Sequence, residues 1–267
     1  SLKIFNLLEG KEVSRPLNTI DWDVEQAKKG EFDHFMLKEI SEQVETVQKA
    51  IEQDKSIIFE IAQSIKDAKG IFFVACGTSY HACLTASYLL SKIAKLHVDV
   101  VLASEFPSYE HFLTDKTLVI AVSQSGETAD VLDAVKTAKN KNSRVISLVN
   151  TVGSSLHRYS DQSLMMHAGP EICVVSTKTY TSQLAILTLL AYALAGKYEE
   201  GKIELKYLWN LIYNLTSLNT REHIKQLAER LKDASHIFMI GRGLQYPTAL
   251  EAALKIKEVS YIHAEGF

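Results

Sequence analysis

The feature that most constrains this chain is a set of short, continuously apolar runs that alternate with helical stretches. Ile71-Phe72-Phe73-Val74-Ala75-Cys76 ends at Gly77, and similar runs follow at His97 to Ala103, Thr117 to Val122 and Arg144 to Val149, with a weaker one near Gln162 to Met166. Between them, about Tyr80 to Ala94, Ala129 to Asn140 and Ser176 to Leu194 read as helices. Strands apolar on both faces need cover on both faces, and alternating helices provide it through parallel crossovers. The pattern predicts an α/β fold with a doubly wound, parallel, five-stranded sheet over about residues 35 to 198. Phe35 to about Ala50 and Ser56 to Ala68 carry helix-period apolar positions (Met36, Ile40, Val44, Val47, Ile51) and lead into it. Residues 1 to 34 are polar and irregular, with breaks at Gly10, Pro16 and Gly30 and an anchor at Trp22.

A second unit begins at about residue 199. Ile203 to Leu231 reads as helical, with Leu205, Leu208, Leu211, Ile212 and Leu215 on one side. Ile237-Phe238-Met239-Ile240 then runs into Gly241-Arg242-Gly243 and a helical Thr248 to Tyr261. This repeats the earlier order of helix, apolar strand, glycine turn and helix, the mark of a duplicated α/β unit. The second unit is expected to be truncated at Phe267, one helix past a single strand.

Several function classes are excluded by what the chain lacks. A net charge of −3 and the absence of basic runs give no electrostatic footprint for nucleic acid or a membrane surface. The longest apolar stretch, Leu184 to Ala195, is shorter than the roughly 20 residues of a spanning helix and reads as buried. No secretory signal is visible, and Cys76, Cys83 and Cys173 lack metal-site spacing, so a cytoplasmic protein without disulfides, metal or cofactor is expected.

The chemistry concentrates at strand ends. Leu118-Val119-Ile120-Ala121-Val122 is followed by Ser123-Gln124-Ser125-Gly126-Glu127-Thr128 and a helix. Doubly wound sheets bind ligands at the carboxyl ends of strands, where the strand order reverses. A turn of Ser, Thr and Gly before a helix directs N–H groups, hydroxyls and the positive end of the helix dipole at one point, which suits a phosphate. The plainer reading is that Ser123 and Thr128 cap the helix. Gly77-Thr78-Ser79 ends the first strand in the same way, and first and third strands are neighbours at the reversal point. No GxGxxG or GxxxxGK[ST] loop follows either strand. Val174-Val175-Ser176-Thr177-Lys178 reads either as a third contributor or as an N-cap with a solvated lysine.

A last cluster is helical. Glu251, Lys255 and Glu258 share one face, which would ordinarily be an exposed salt-bridge row. Leu250, Ala253, Leu254, Ile256 and Val259 make the helix apolar nearly all round, so it is expected to be buried, with a carboxylate of raised pKa able to carry a proton.

Cys76-Gly77-Thr78-Ser79, Ser123 to Asp130 and Ser176-Thr177-Lys178 resemble the sugar isomerase (SIS) domains. More closely they resemble the isomerase half of the glutamine–fructose-6-phosphate amidotransferases, the glucosamine-6-phosphate synthases. His34 to Ile40 is similar to the start of that half, and Gly241-Arg242-Gly243, Ala249-Leu250-Glu251 and Leu254 to Glu265 are similar to its second SIS domain. The resemblance implies a flavodoxin-like SIS fold and phosphate binding by Ser123, Gln124, Ser125 and Thr128. It implies sugar-lining positions at Thr78, Ser79, Val174 and Ser176, a proton-transfer role for Glu258, and Lys255 in the same step. It also implies conversion of fructose 6-phosphate and ammonia to glucosamine 6-phosphate by a homodimer. Residues 1–34 are expected to be the tail of a glutaminase domain that is absent, and residues completing the site are expected beyond Phe267. Two alternatives stand beside this: a stand-alone phosphosugar isomerase, and a regulatory SIS module that senses a sugar phosphate.

Overall fold

The computed structural model describes residues 3–14 and 27–267; the expected break at Pro16 and anchor at Trp22 lie outside them. Strands β1 (Gly70–Ala75), β2 (Asp99–Leu102), β3 (Thr117–Ser123), β4 (Arg144–Val149) and β5 (Gln162–Met165) form one sheet in the order β2-β1-β3-β4-β5. All four pairings are parallel. This is the doubly wound sheet that the alternation of runs predicts. The order reverses between β1 and β3, where Phe73 lies opposite Ile120 and Val74 opposite Ala121. The carboxyl ends of these two strands therefore open side by side on one edge.

Side chains alternate between two separate cores. Phe73 and Ala75, Leu118, Ile120 and Val122, and Ile146 and Leu148 face α1 (Phe35–Ile51), α2 (Lys55–Asp67), α3 (Gly77–Leu89) and α6 (Lys178–Leu194). Phe72, Val74, Val119, Ala121 and Val145 face α4 (Ala129–Asn140), Leu156 of α5 (Ser155–Tyr159) and Phe106 of a 3₁₀ segment, Ala103–Phe112. The central helix α6 is buried along nearly its whole length, as its apolar sequence requires. Helix α7 (Tyr198–Leu215) lies on α6 and α1, burying Tyr198, Gly201 and Leu205.

The remainder differs from the sequence expectation in three places. Ile203 to Leu231 is not one helix: α7 ends at Leu215, and α8 (Leu218–Leu231) restarts after Ser217, whose Oγ accepts from Thr220 N at 3.4 Å. Arg221 Nε donates to Thr216 O at 3.0 Å, satisfying a carbonyl of the kind a helix end leaves free. Of the expected stripe, Leu205 is buried and Ile212 partly so, while Leu208, Leu211 and Leu215 are exposed.

Second, β6 (His236–Met239) is not followed by a helix alone. After α9 (Gln245–Ser260) the chain forms β7 (His263–Gly266), which pairs in parallel with β6. Third, α9 is not buried all round. It packs on α3 through a face containing Ala249, Glu251 and Ala253, whereas Lys257 to Ser260 are exposed. Among the described residues, no helix is long and apolar enough to cross a membrane.

Candidate functional site

The turn after β3 is held by its own side chains. Gly126 has φ +67°, a conformation open to glycine, and a Cβ there would collide with Ser154 and come within 2.8 Å of Val149 Cγ2. Ser123 Oγ accepts from Gly126 N at 3.1 Å and lies 3.1 Å from Thr128 Oγ1. Ser125 Oγ accepts from Glu127 N at 3.2 Å. Thr128 occupies the N-cap position of α4 but its side chain makes no cap bond. The plain capping reading therefore fails for Thr128, whose hydroxyl belongs to the turn. Neighbours fix the turn from outside: Asn150 N donates to Gln124 O at 3.1 Å, and Ser155 N to Glu127 Oε1 at 2.7 Å. The latter bond holds the Glu127 carboxyl below its usual range.

Thr78, Ser79, Ser123, Gln124, Ser125, Thr128 and Ser176 converge on one cavity of about 140 Å³, with Cys76 beside them. Three segments far apart in sequence thus meet at the reversal point, at the N-terminal ends of α3 and α4. The room suits an anionic group of a few heavy atoms, surrounded by hydroxyls and helix N-termini. Val174 is not among these residues; its side chain is 97% exposed.

The segment that brings Ser176 to the cavity is organised by carboxylates. Glu171 Oε1 accepts from Thr177 N at 2.9 Å and Thr179 N at 3.2 Å, so it caps α6 in place of the Ser176 and Thr177 hydroxyls. Ser176 Oγ instead lies 2.7 Å from Thr179 Oγ1. Buried Glu39 of α1 accepts from Ile172 N at 2.6 Å and Cys173 N at 3.1 Å. Burial raises the Glu39 pKa against these bonds. Lys178, read as a possible solvated lysine, is 2% exposed and paired with Glu42 Oε2 at 2.7 Å.

Helix α9 joins the cavity through Thr78. Lys255 Nζ donates to Thr78 Oγ1 at 2.7 Å and forms ion pairs with Glu251 Oε1 at 3.2 Å and Glu258 Oε2 at 2.8 Å. Thr78 Oγ1 in turn donates to Glu251 Oε1 at 3.0 Å, and His81 Nδ1 lies 2.7 Å from Glu251 Oε2. The buried carboxylate of this helix is therefore Glu251, and its pKa moves opposite to expectation. Burial acts to raise it, but the His81 hydrogen bond, the Lys255 charge and the Thr78 hydrogen bond outweigh burial and lower it. Glu258 is more open, its side chain 35% exposed. Facing Glu251, Tyr180 is pushed up to about 12 by burial and that negative charge.

The sequence reading passed over His81, Gln183 and Glu39. Gln183, 0% exposed, donates through Nε2 to Ser79 Oγ at 3.1 Å. Its signal was an amide directly before the longest apolar run; that of Glu39 was an acid three residues after Met36 on the apolar stripe of α1. Among the described residues no group of three or more His, Cys, Asp or Glu could hold a metal ion.

Comparison with known proteins agrees with this geometry. The SIS domain family matches over residues 64–193 and 230–267. The chain is 48% identical to the glutamine–fructose-6-phosphate aminotransferase (isomerizing) of Thermococcus kodakarensis, over 96% of this chain and 44% of that protein. It is 42% identical to the same-named protein of Aquifex aeolicus, over 100% of this chain and 45% of that protein. It thus spans a little under half the length of the curated relatives it matches. Among solved structures, the C-terminal domain of glucosamine-fructose-6-phosphate aminotransferase from Francisella tularensis superposes with a TM-score of 0.81 at 39% identity, covering 90% of this chain and 71% of that one. On its strand order, its strand-end hydroxyls and these matches, the chain belongs to the SIS domain family.

Proposed function

We propose that this chain is the sugar-phosphate-handling isomerase part of a glutamine–fructose-6-phosphate aminotransferase, making glucosamine 6-phosphate from fructose 6-phosphate and ammonia. The observation that carries the proposal is the ammonium of Lys255, which links Thr78 at the cavity to Glu258 on α9. A phosphate site alone would serve a sensing module; a carboxylate held beside it by a lysine suits proton transfer.

In this reading the phosphate sits among Ser123, Gln124, Ser125 and Thr128, with Thr78 and Ser176 toward the sugar and Ser79 where sugar and phosphate meet. The hydrogen bonds offered to a charged group contribute about 1.5–3 kcal/mol each, enough for several to hold the phosphate without arginine. The open-chain ketose condenses with ammonia at C2, losing water. Glu258 then takes a proton from C1 and returns it at C2, converting the ketose imine to the amino aldose. Its partial exposure leaves it reachable by a substrate anchored in the cavity, and Lys255 orients it.

The division of the chain follows the same reading: residues 1–34 as the tail of a glutaminase domain that supplies ammonia, 35–198 as a first SIS domain and 199–267 as the start of a second. The separate family match at 230–267 and the β6–α9–β7 order support the second unit. A cytosolic homodimer is part of the proposal. Isothermal titration with fructose 6-phosphate, against fructose as control, tests it. Saturable binding of the phosphate ester alone is expected; equal binding of both sugars, or of neither, overturns the assignment of the turn.

A further inference from the structure

We propose that Gln183 is a positioning residue that fixes Ser79 as a hydrogen-bond donor toward the cavity, and so favours an anionic ligand there. The inference rests on the sugar-phosphate reading above and adds a residue that never touches the ligand.

The argument is one of hydrogen-bond polarity. Gln183 Nε2 donates to Ser79 Oγ at 3.1 Å. Met166 Sδ lies 3.7 Å from the same nitrogen, and a thioether accepts but cannot donate, so this end of the amide is the NH₂ group. A serine hydroxyl has one proton and two lone pairs. With an N–H delivered to Ser79 Oγ from the core side, its own proton is left for the cavity that Ser79 lines. A phosphate accepts and does not donate, so this is the polarity it needs. Across the cavity Ser123 Oγ likewise accepts a fixed N–H, from Gly126 at 3.1 Å, and shares a hydrogen bond with Thr128 Oγ1 at 3.1 Å.

Packing gives no reason for the amide. Gln183 is 0% exposed and opens a run of α6 whose buried residues, from Ala185 to Leu194, are Ala, Ile and Leu apart from Tyr192. Burying an amide there costs more than burying an apolar side chain of similar size. The preference for glutamine follows from what it does to Ser79.

A double-mutant cycle read by calorimetry with fructose 6-phosphate tests this. Q183M keeps the volume and removes the donor; it is expected to weaken binding roughly fivefold or more, one ordinary hydrogen bond. In an S79A background the same change is expected to have no further effect, because its route to the ligand is gone. Q183L removes the donor in a different shape and carries the same cycle should Q183M not fold. Losses that multiply in the double variant, or a Q183M chain that binds like the wild type, overturn the positioning role. A wild-type chain that binds no phosphorylated hexose overturns the sugar-phosphate reading and this inference with it; binding without coupling overturns the inference alone.

Discussion

Lys255 Nζ stands 2.7 Å from Thr78 Oγ1, so the helix that carries Glu258 is bonded directly to the wall of the cavity. The same ammonium neutralises Glu251, whose side chain is 7% exposed. Lys255→Met removes the cation and leaves that carboxylate with Thr78 and His81. The expected loss is about 3–5 kcal/mol of folding stability, the range for breaking a buried ion pair from one side. Urea denaturation checks it, and a change under about 0.5 kcal/mol would mean that the pair is solvated.

Glu258→Gln separates binding from chemistry. The side chain keeps its size and lies outside the cavity-lining set, so affinity for fructose 6-phosphate is expected to stay within about twofold. Isomerisation, measured as exchange of the C1 proton with solvent in the intact enzyme, is expected to disappear. Retained exchange assigns proton transfer elsewhere.

Thr128→Val keeps the shape of the turn and removes a hydroxyl that makes no helix cap. Binding of fructose 6-phosphate is expected to weaken by about 1.5–3 kcal/mol, one charge-assisted hydrogen bond, with little change in melting temperature. Unchanged affinity by calorimetry removes Thr128 from the site.

Gly126→Ala combines a positive φ with the collision against Ser154 and Val149. Stability is expected to fall by about 2–4 kcal/mol, from backbone strain and overpacking together. Phosphate-ester binding is expected to be lost with it. Equilibrium unfolding of the variant, followed by titration, reads both.

Acid should weaken the fold through Glu251. Its folded pKa is below the unfolded value of 4.5, so the ionised form contributes stability that is present above about pH 4.5. That contribution is lost as pH falls through the folded pKa. Glu251→Gln is expected to flatten the stability curve below pH 4.5, measured by urea unfolding between about pH 6 and 3. An unchanged acid slope transfers the effect to other carboxylates.

Much of this was legible in the chain itself, for reasons that differ by element. β3 and β4 were readable because both faces are apolar, so the runs themselves mark the strands. The Ser123–Thr128 turn was readable because three hydroxyl residues and a glycine follow such a run. β7 was not: His263-Ala264-Glu265-Gly266 has neither apolar alternation nor β-branched residues, and its pairing with β6 comes from tertiary packing. Periodicity placed Glu251 and Glu258 on one face of α9, but only the position of α3 decides that the first is buried and the second open. The break at Thr216-Ser217 had a signal, a Ser before a helical run, that the long helical reading overrode.

The strand order has a kinetic meaning as well. Two of the three segments that form the cavity hang from β1 and β3, which are adjacent in the sheet but separated in the chain by β2 and its connections. Parallel neighbours of this kind join late, because the intervening loop must close before the contacts form. A refolding intermediate that has paired β3 with β4 alone carries the Ser123–Thr128 turn but lacks the Thr78 and Ser79 wall. Ligand added during refolding therefore meets only the phosphate-holding part of its site until the central pair has joined, and its full stabilisation waits for that step.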